Sequence, residues 1–213
     1  MSGIFLTFEG LDGSGKTTQL SLLANHLRGL GFEVVSTCEP GGTILGRRIR
    51  EILLDEDAPV APLAELLLFA ADRAQHVEML VRPALERGAI VISDRYSDAT
   101  IAYQGAGRGF ASATVKQIIK FATSGLKPDL TLFFDVPVGE SISRTNHRVT
   151  EGVAKNRLDS EAAEFHQKVR AAYLEIAERE PKRFRVVDAK RSITDIQKNV
   201  LQIVTDFLEA RKT

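Results

Sequence analysis

Residues 10–17 read Gly10-Leu11-Asp12-Gly13-Ser14-Gly15-Lys16-Thr17, which fits G-x-x-x-x-G-K-[ST] without a mismatch. The flanks fit as well. Ile4 to Phe8 is a short apolar run suited to a buried strand, and the residues from Lys16 onward read as a helix. A strand, a glycine loop and a helix start together make an anion cradle. The glycines let successive backbone N–H groups converge, the helix N-terminus adds partial positive charge, and Lys16 reaches the outer phosphates. Thr17 has the hydroxyl that such loops place on Mg²⁺. A chance glycine turn before a helix is the bland alternative, and the flanks speak against it. The pattern implies a site for a nucleoside triphosphate.

Composition narrows the rest. With 213 residues the chain is long enough for one domain with a sizeable core. The 28 Lys and Arg balance the 28 Asp and Glu, so no overall basic field points to nucleic acid or to an anionic membrane. Handling phosphate needs only local basic clusters. The single cysteine, Cys38, excludes an internal disulfide framework and a Cys-rich zinc site, and it suits a reducing cytoplasm. Met1 to Thr7 leads straight into the first strand without a secretory signal, and no apolar stretch reaches the length of a membrane span. A cytoplasmic protein is the expectation.

Along the chain, strand-like and helix-like segments alternate. Strands are expected at 4–8, 32–37, 89–93, 130–136 and 184–187, and helices at 18–30, 45–54, 63–87, 114–123, 139–148 and 161–180. The 63–87 helix is long enough to kink. Ser192-Ile193-Thr194-Asp195 reads as a variant capping box opening a last helix to Glu209. Such alternation predicts an α/β fold in three layers, with about five parallel strands covered by helices on both faces. Ligands in these sheets sit outside the carboxyl ends of the strands. Gly10 to Thr17, Glu39 and Asp94-Arg95 all follow strands. A carboxylate at Asp94 suits a Mg²⁺–phosphate assembly, and Arg95 offers a planar donor fork for phosphate.

The segment Ala102-Tyr103-Gln104-Gly105-Ala106-Gly107-Arg108-Gly109 is rich in glycine and small residues, which lets the backbone approach a ligand closely. From here the sequence resembles the thymidylate (dTMP) kinase family. The resemblance runs in order through Phe8-Glu9-Gly10 and the P-loop, Glu39-Pro40-Gly41-Gly42-Thr43, and Phe69-Ala70-Ala71-Asp72-Arg73. It continues through Asp94-Arg95-Tyr96, Ala102-Tyr103-Gln104-Gly105 and Pro128-Asp129-Leu130-Thr131-Leu132. It implies transfer of the ATP γ-phosphate to dTMP, with Mg²⁺ as cofactor and a homodimer as the assembly.

By resemblance, ATP lies on Gly10 to Thr17, with Thr18 and Arg144 beside it, while Thr17 and Asp94 serve the metal. Phe69 matches the residue stacking on thymine, Arg73 the base-binding arginine and Thr100 a contact to the base edge. Tyr103 matches the tyrosine beside the sugar that disfavours a 2′-hydroxyl, and Gln104 adjoins it. Glu39 belongs to the acceptor loop, and Arg50 and Arg95 match the arginines on the monophosphate. Periodicity alone would leave Phe69 in the core and Arg50 as a solvated helix residue.

Some family members carry a transition-state arginine inside the P-loop; here that position is Gly13, which points to arginines from a mobile lid. Asp12 then orients those arginines or the acceptor. The lid is expected at 144–159, holding Arg144, His147, Arg148, Lys155 and Arg157, with Arg157 the first choice for the transition state and Arg148 the second. Asp188-Ala189-Lys190-Arg191 resembles the adenine-side loop. Cys38, Ala99 and Asn156 depart from the family pattern. Two rivals remain open: a deoxynucleoside kinase with Glu39 as base, and a non-enzymatic P-loop nucleotide switch.

Overall fold

The structure, a computed structural model, describes residues 3–57, 59–150 and 156–211. Five strands form one sheet: β1 (Ile4–Glu9), β2 (Val34–Cys38), β3 (Ile90–Asp94), β4 (Leu130–Asp135) and β5 (Phe184–Asp188). Their order is β2-β3-β1-β4-β5 and every pairing is parallel. Strands buried on both faces need apolar residues in both directions, which explains runs such as Ile90-Val91-Ile92. Leu6, Phe8, Ile92, Leu132 and Phe134 pack on one face with Leu20, Leu23, Leu27, Val200 and Val204. Phe5 and Val91 turn to the other face with Val77, Val81 and Tyr96, and Phe133 packs there against Phe165, Val169 and Tyr173.

Helices α1 (Lys16–Gly29), α2 (Ile44–Leu54), α3 (Pro62–His76), α4 (Arg82–Glu86), α5 (Ser97–Thr100), α6 (Ser112–Thr123), α7 (Val138–Thr150), α8 (Ala163–Arg179) and α9 (Ile193–Ala210) cover the sheet. The Ser192 capping box forms as its sequence predicts: the Asp195 amide donates to the Ser192 hydroxyl, which donates to the Asp195 carboxylate at 2.7 Å. The expected 63–87 helix is continuous but passes through a π turn at Val77–Val81 before α4. Pro83 has no N–H to give the preceding turn, so the ladder widens there.

A second π turn, Ile101–Gly107, follows α5, so the glycine-rich segment is helical. Its smallness at Gly107 serves packing: a Cβ there would meet the Phe165 ring at 2.5 Å.

Glu9 ends β1 with its side chain fully buried, accepting from the Tyr96 amide at 2.9 Å and the Tyr173 hydroxyl at 2.8 Å. Burial, reinforced by the Asp98 carboxylate, raises its pKa from 4.5 to about 8. The folded protein therefore holds this proton more tightly than the unfolded chain, and stability falls as pH rises through that window. Chemical unfolding from pH 4.5 to about 8 is expected to show this decline in the native sequence and a flatter profile in Glu9→Gln. Leu23, fully buried between α1 and the sheet, sets the packing scale. Leu23→Ala is expected to lower unfolding stability by about 2–5 kcal/mol in urea titrations.

Candidate active site

Parallel register carries the strand ends to one edge: Phe8 lies beside Asp94, and Asp94 beside Cys38. The loop after β1 turns there into α1. Gly13 and Gly15 adopt φ of 74° and 87°, a region that glycine enters freely. Gly15 is the N-cap and offers no side chain, so the first-turn amides of α1 remain aimed at the loop. Lys16 is buried, donating to the Leu11 carbonyl at 2.8 Å and the Ser14 hydroxyl at 3.4 Å. Burial and the nearby Arg95 lower its pKa. The Thr17 hydroxyl donates to Asp94 at 2.7 Å, joining the loop to the end of β3.

Arg95 comes next with φ of 73°, a left-handed backbone that costs a bulky residue roughly 1–3 kcal/mol. Its amide is fixed by the Phe8 carbonyl at 2.9 Å. Its guanidinium donates to Asp12 at 2.9 Å and lies 4.9 Å from the centre of the Tyr103 ring. Burial pushes the Asp12 pKa up, but Arg95 and Lys16 outweigh it and hold the carboxyl well below the usual carboxylate range. Asp12 is thus an anion throughout the physiological range, able to steer neighbouring cations.

Two cavities meet at Asp12, Glu39, Arg50 and Arg95. One is walled by Gly13, Gly15, Lys16, Thr17, Thr18 and Asp94, with Arg144 and Arg148 across from them. The other is lined by Phe69, Arg73, Thr100, Tyr103 and Gln104. Phe69 is half-buried on its wall, whereas periodicity alone would leave it in the core. Arg50 donates to the Pro40 carbonyl at 2.8 Å and faces both spaces. The Tyr103 hydroxyl is buried, and among the described residues neither it nor Arg95 Nη1 has a hydrogen-bond partner.

Arg73 is held on three sides: Nε donates to Glu39 at 2.8 Å, Nη1 to Thr100 at 2.7 Å and Nη2 to the Tyr96 carbonyl at 3.0 Å. The second Glu39 oxygen pairs with His76 Nδ1 at 2.7 Å, whose Nε2 pairs with Thr37 at 2.8 Å. Both oxygens of Glu39 are thus engaged, which disfavours the general-base role considered for it in a nucleoside kinase.

The remaining candidates are spread more widely. Gly10 packs where a Cβ would meet the Phe134 carbonyl at 2.6 Å, and Leu11 and Ser14 are buried beneath the loop. Arg157 does not line the cavity beside the glycine loop. It donates to Glu65 at 2.6 Å and to the Leu53 carbonyl at 3.2 Å, beside α2 and α3. Arg148 and Arg144 line the cavity beside the glycine loop. Of the expected lid, 151–155, with Lys155, lie outside the described residues. Asp159 also lines that cavity, which its sequence context does not disclose; Asn156 Nδ2 donates to it at 2.5 Å. Glu65 escapes a sequence reading too, although a carboxylate inside the apolar run Leu63-Ala64-Glu65-Leu66-Leu67 is an available signal.

With this geometry in place, the comparisons are specific. A sequence model of the family "Thymidylate kinase" matches residues 8–200. The chain is 48% identical over 202 residues to a thymidylate kinase of Pelobacter propionicus, covering 93% of this chain and 92% of that one. It is 51% identical over 197 residues to one from Leifsonia xyli subsp. xyli, covering 91% and 90%. A crystal structure of thymidylate kinase from Ehrlichia chaffeensis superposes with a TM-score of 0.78 at 33% identity, covering 96% of this chain and 100% of that one. Agreement over almost the whole length, in sequence and in fold alike, means that the chain belongs to the thymidylate kinase family.

Proposed function

We propose that the two cavities hold Mg·ATP and dTMP end to end, and that the chain transfers the γ-phosphoryl group between them. The γ-phosphorus bond to the bridging oxygen of ADP breaks while a bond to a dTMP phosphate oxygen forms, giving ADP and dTDP. That acceptor oxygen is already anionic at neutral pH, so the reaction needs alignment and charge neutralisation more than a base. The observation that carries this reading is the junction of the cavities, where Arg95, fixed by Asp12, stands beside both.

In this reading Lys16 and the loop amides hold the ATP phosphates, and Arg95 Nη1 with Arg50 holds the acceptor phosphate. Phe69 and Arg73 take the thymine, and the Tyr103 hydroxyl faces the sugar. The facing Thr17 hydroxyl and Asp94 carboxylate suit a hard cation. Thr17 and Asp94 would hold such an ion together with phosphate and water oxygens. When bound, Mg²⁺ supplies charge neutralisation on the phosphates. Arg148 is the transition-state arginine, closing from a lid built on α7, and Arg144 accompanies it. Exposed Leu63 and Leu67, one turn apart on α3, with exposed Phe121 on α6, form the surface for a homodimer. Among the described residues no helix is long and apolar enough to cross a membrane.

ADP release with dTMP, dUMP, UMP, AMP and thymidine tests the reaction. Turnover with dTMP well above the others is expected, whereas thymidine as the best acceptor would overturn the reading. Arg148→Ala is expected to lower kcat by roughly 10³-fold while leaving ATP affinity nearly unchanged. Arg157→Ala should lower kcat far less; the opposite ranking would return the role to Arg157. Sedimentation should give a dimer, and Leu67→Glu a monomer.

A further inference from the structure

Glu65 is fully buried one helical turn before Phe69, yet it touches neither reacting cavity as a lining residue. Its carboxylate is crowded with donors. Gln104 Nε2 reaches Oε1 at 2.9 Å, and Arg108 donates to both oxygens at 3.1 and 2.9 Å. Arg157 adds a fourth bond at 2.6 Å. The neighbouring Arg108 is itself held by Glu161 at 2.7 Å and lies 4.8 Å from the Phe165 ring centre. Burial opposes the charge, but the bonds from Arg108, Gln104 and Arg157 outweigh it and lower the Glu65 pKa. The group is an ionised carboxylate, which accepts hydrogen bonds and donates none.

That one-way chemistry has a consequence for Gln104, which is buried and lines the acceptor cavity. A glutamine amide can turn either end outward, and its two ends have opposite hydrogen-bond character. Facing a carboxylate, only the NH₂ end can form a bond, so the carbonyl end is left for the cavity. Arg73, on the same cavity, donates only. The inner end of the cavity therefore carries one fixed acceptor and one fixed donor. A thymine edge answers both, with a ring N–H for the acceptor and a carbonyl for the donor. A cytosine edge meets them reversed, setting its ring nitrogen against an acceptor and its amino group against a donor.

We propose that Glu65 is a positioning residue that sets the base selectivity of the acceptor cavity by locking the Gln104 amide in one orientation. This rests on the reading of that cavity as the thymine site. Glu65 touches no substrate and acts through Gln104.

The test is selectivity, measured as kcat/KM for dTMP divided by kcat/KM for dCMP. Glu65→Gln keeps the shape but can donate, so Gln104 becomes free to turn; the ratio is expected to fall by at least about tenfold. Glu65→Asp disturbs packing more but remains acceptor-only, so it should keep the ratio even with lower stability. A structural role would rank the two variants the other way. In a Gln104→Leu background Glu65→Gln should change the ratio no further. An unchanged ratio in soluble Glu65→Gln, an equal fall in the Gln104→Leu background, or loss of selectivity in folded Glu65→Asp would each overturn the proposal. If Glu65→Gln does not fold, Glu65→Asp alone decides. Failure of the underlying reading is separate: the native sequence itself would then show no preference for dTMP.

Discussion

The register between β1 and β3 governs which loop groups meet at the cavity edge. Pairing Phe8 with Asp94 brings the end of one strand level with the end of the other. The phosphate loop leaves β1 at that edge, and Arg95 leaves β3 beside it. A shift of one residue would send alternate side chains to opposite faces of the sheet, separating Thr17 from Asp94 and Asp12 from Arg95. The strained backbone of Arg95 belongs to the same constraint. The Phe8 carbonyl holds its amide, and Asp12 and Tyr103 hold its side chain, so the strain is offset by contacts from three parts of the fold.

The charges around this edge fall into two groups. Glu39, Arg73 and His76 form a closed cluster of buried groups that fixes α3 against the end of β2. Breaking such a cluster by removing one partner costs more than the cluster contributes to stability, which makes it a device for position rather than strength. Asp12, Lys16 and Arg95 form the second group, at the junction of the cavities. The protein as a whole is neutral, with 28 basic and 28 acidic residues. Overall neutrality therefore says little about how strongly this edge attracts phosphate.

The fold was legible because its strands are apolar on both faces and its loops carry glycine where amides must converge. Gly10 to Thr17 and Asp94-Arg95 were readable as candidates for a related reason: they follow strand ends, and the glycines mark where backbone amides converge. The pairing of Arg157 with Glu65 joins residues 92 apart in sequence, beyond the reach of a local reading. A basic residue near a lid has no local mark that separates a phosphate ligand from the partner of a buried carboxylate. Periodicity alone assigns Phe69 to the core, since a cavity wall and a core look alike from one helix. The π turn at 101–107 was hidden because small residues are equally suited to a loop and to tight packing against Phe165.

That wide turn constrains the chain in a way that residue identity does not express. Tyr103 and Gln104 are adjacent in sequence, yet both line the same cavity. Each residue of an ordinary helix advances the direction of its side chain by about 100°. Deleting one residue from 101–107 would rotate the remainder of the turn by nearly that angle, swinging Arg108 away from Glu65 and Gly107 from the Phe165 ring. Point substitutions here act on one contact at a time, whereas a change of length moves the whole wall. The count of residues in this turn is itself part of the binding site.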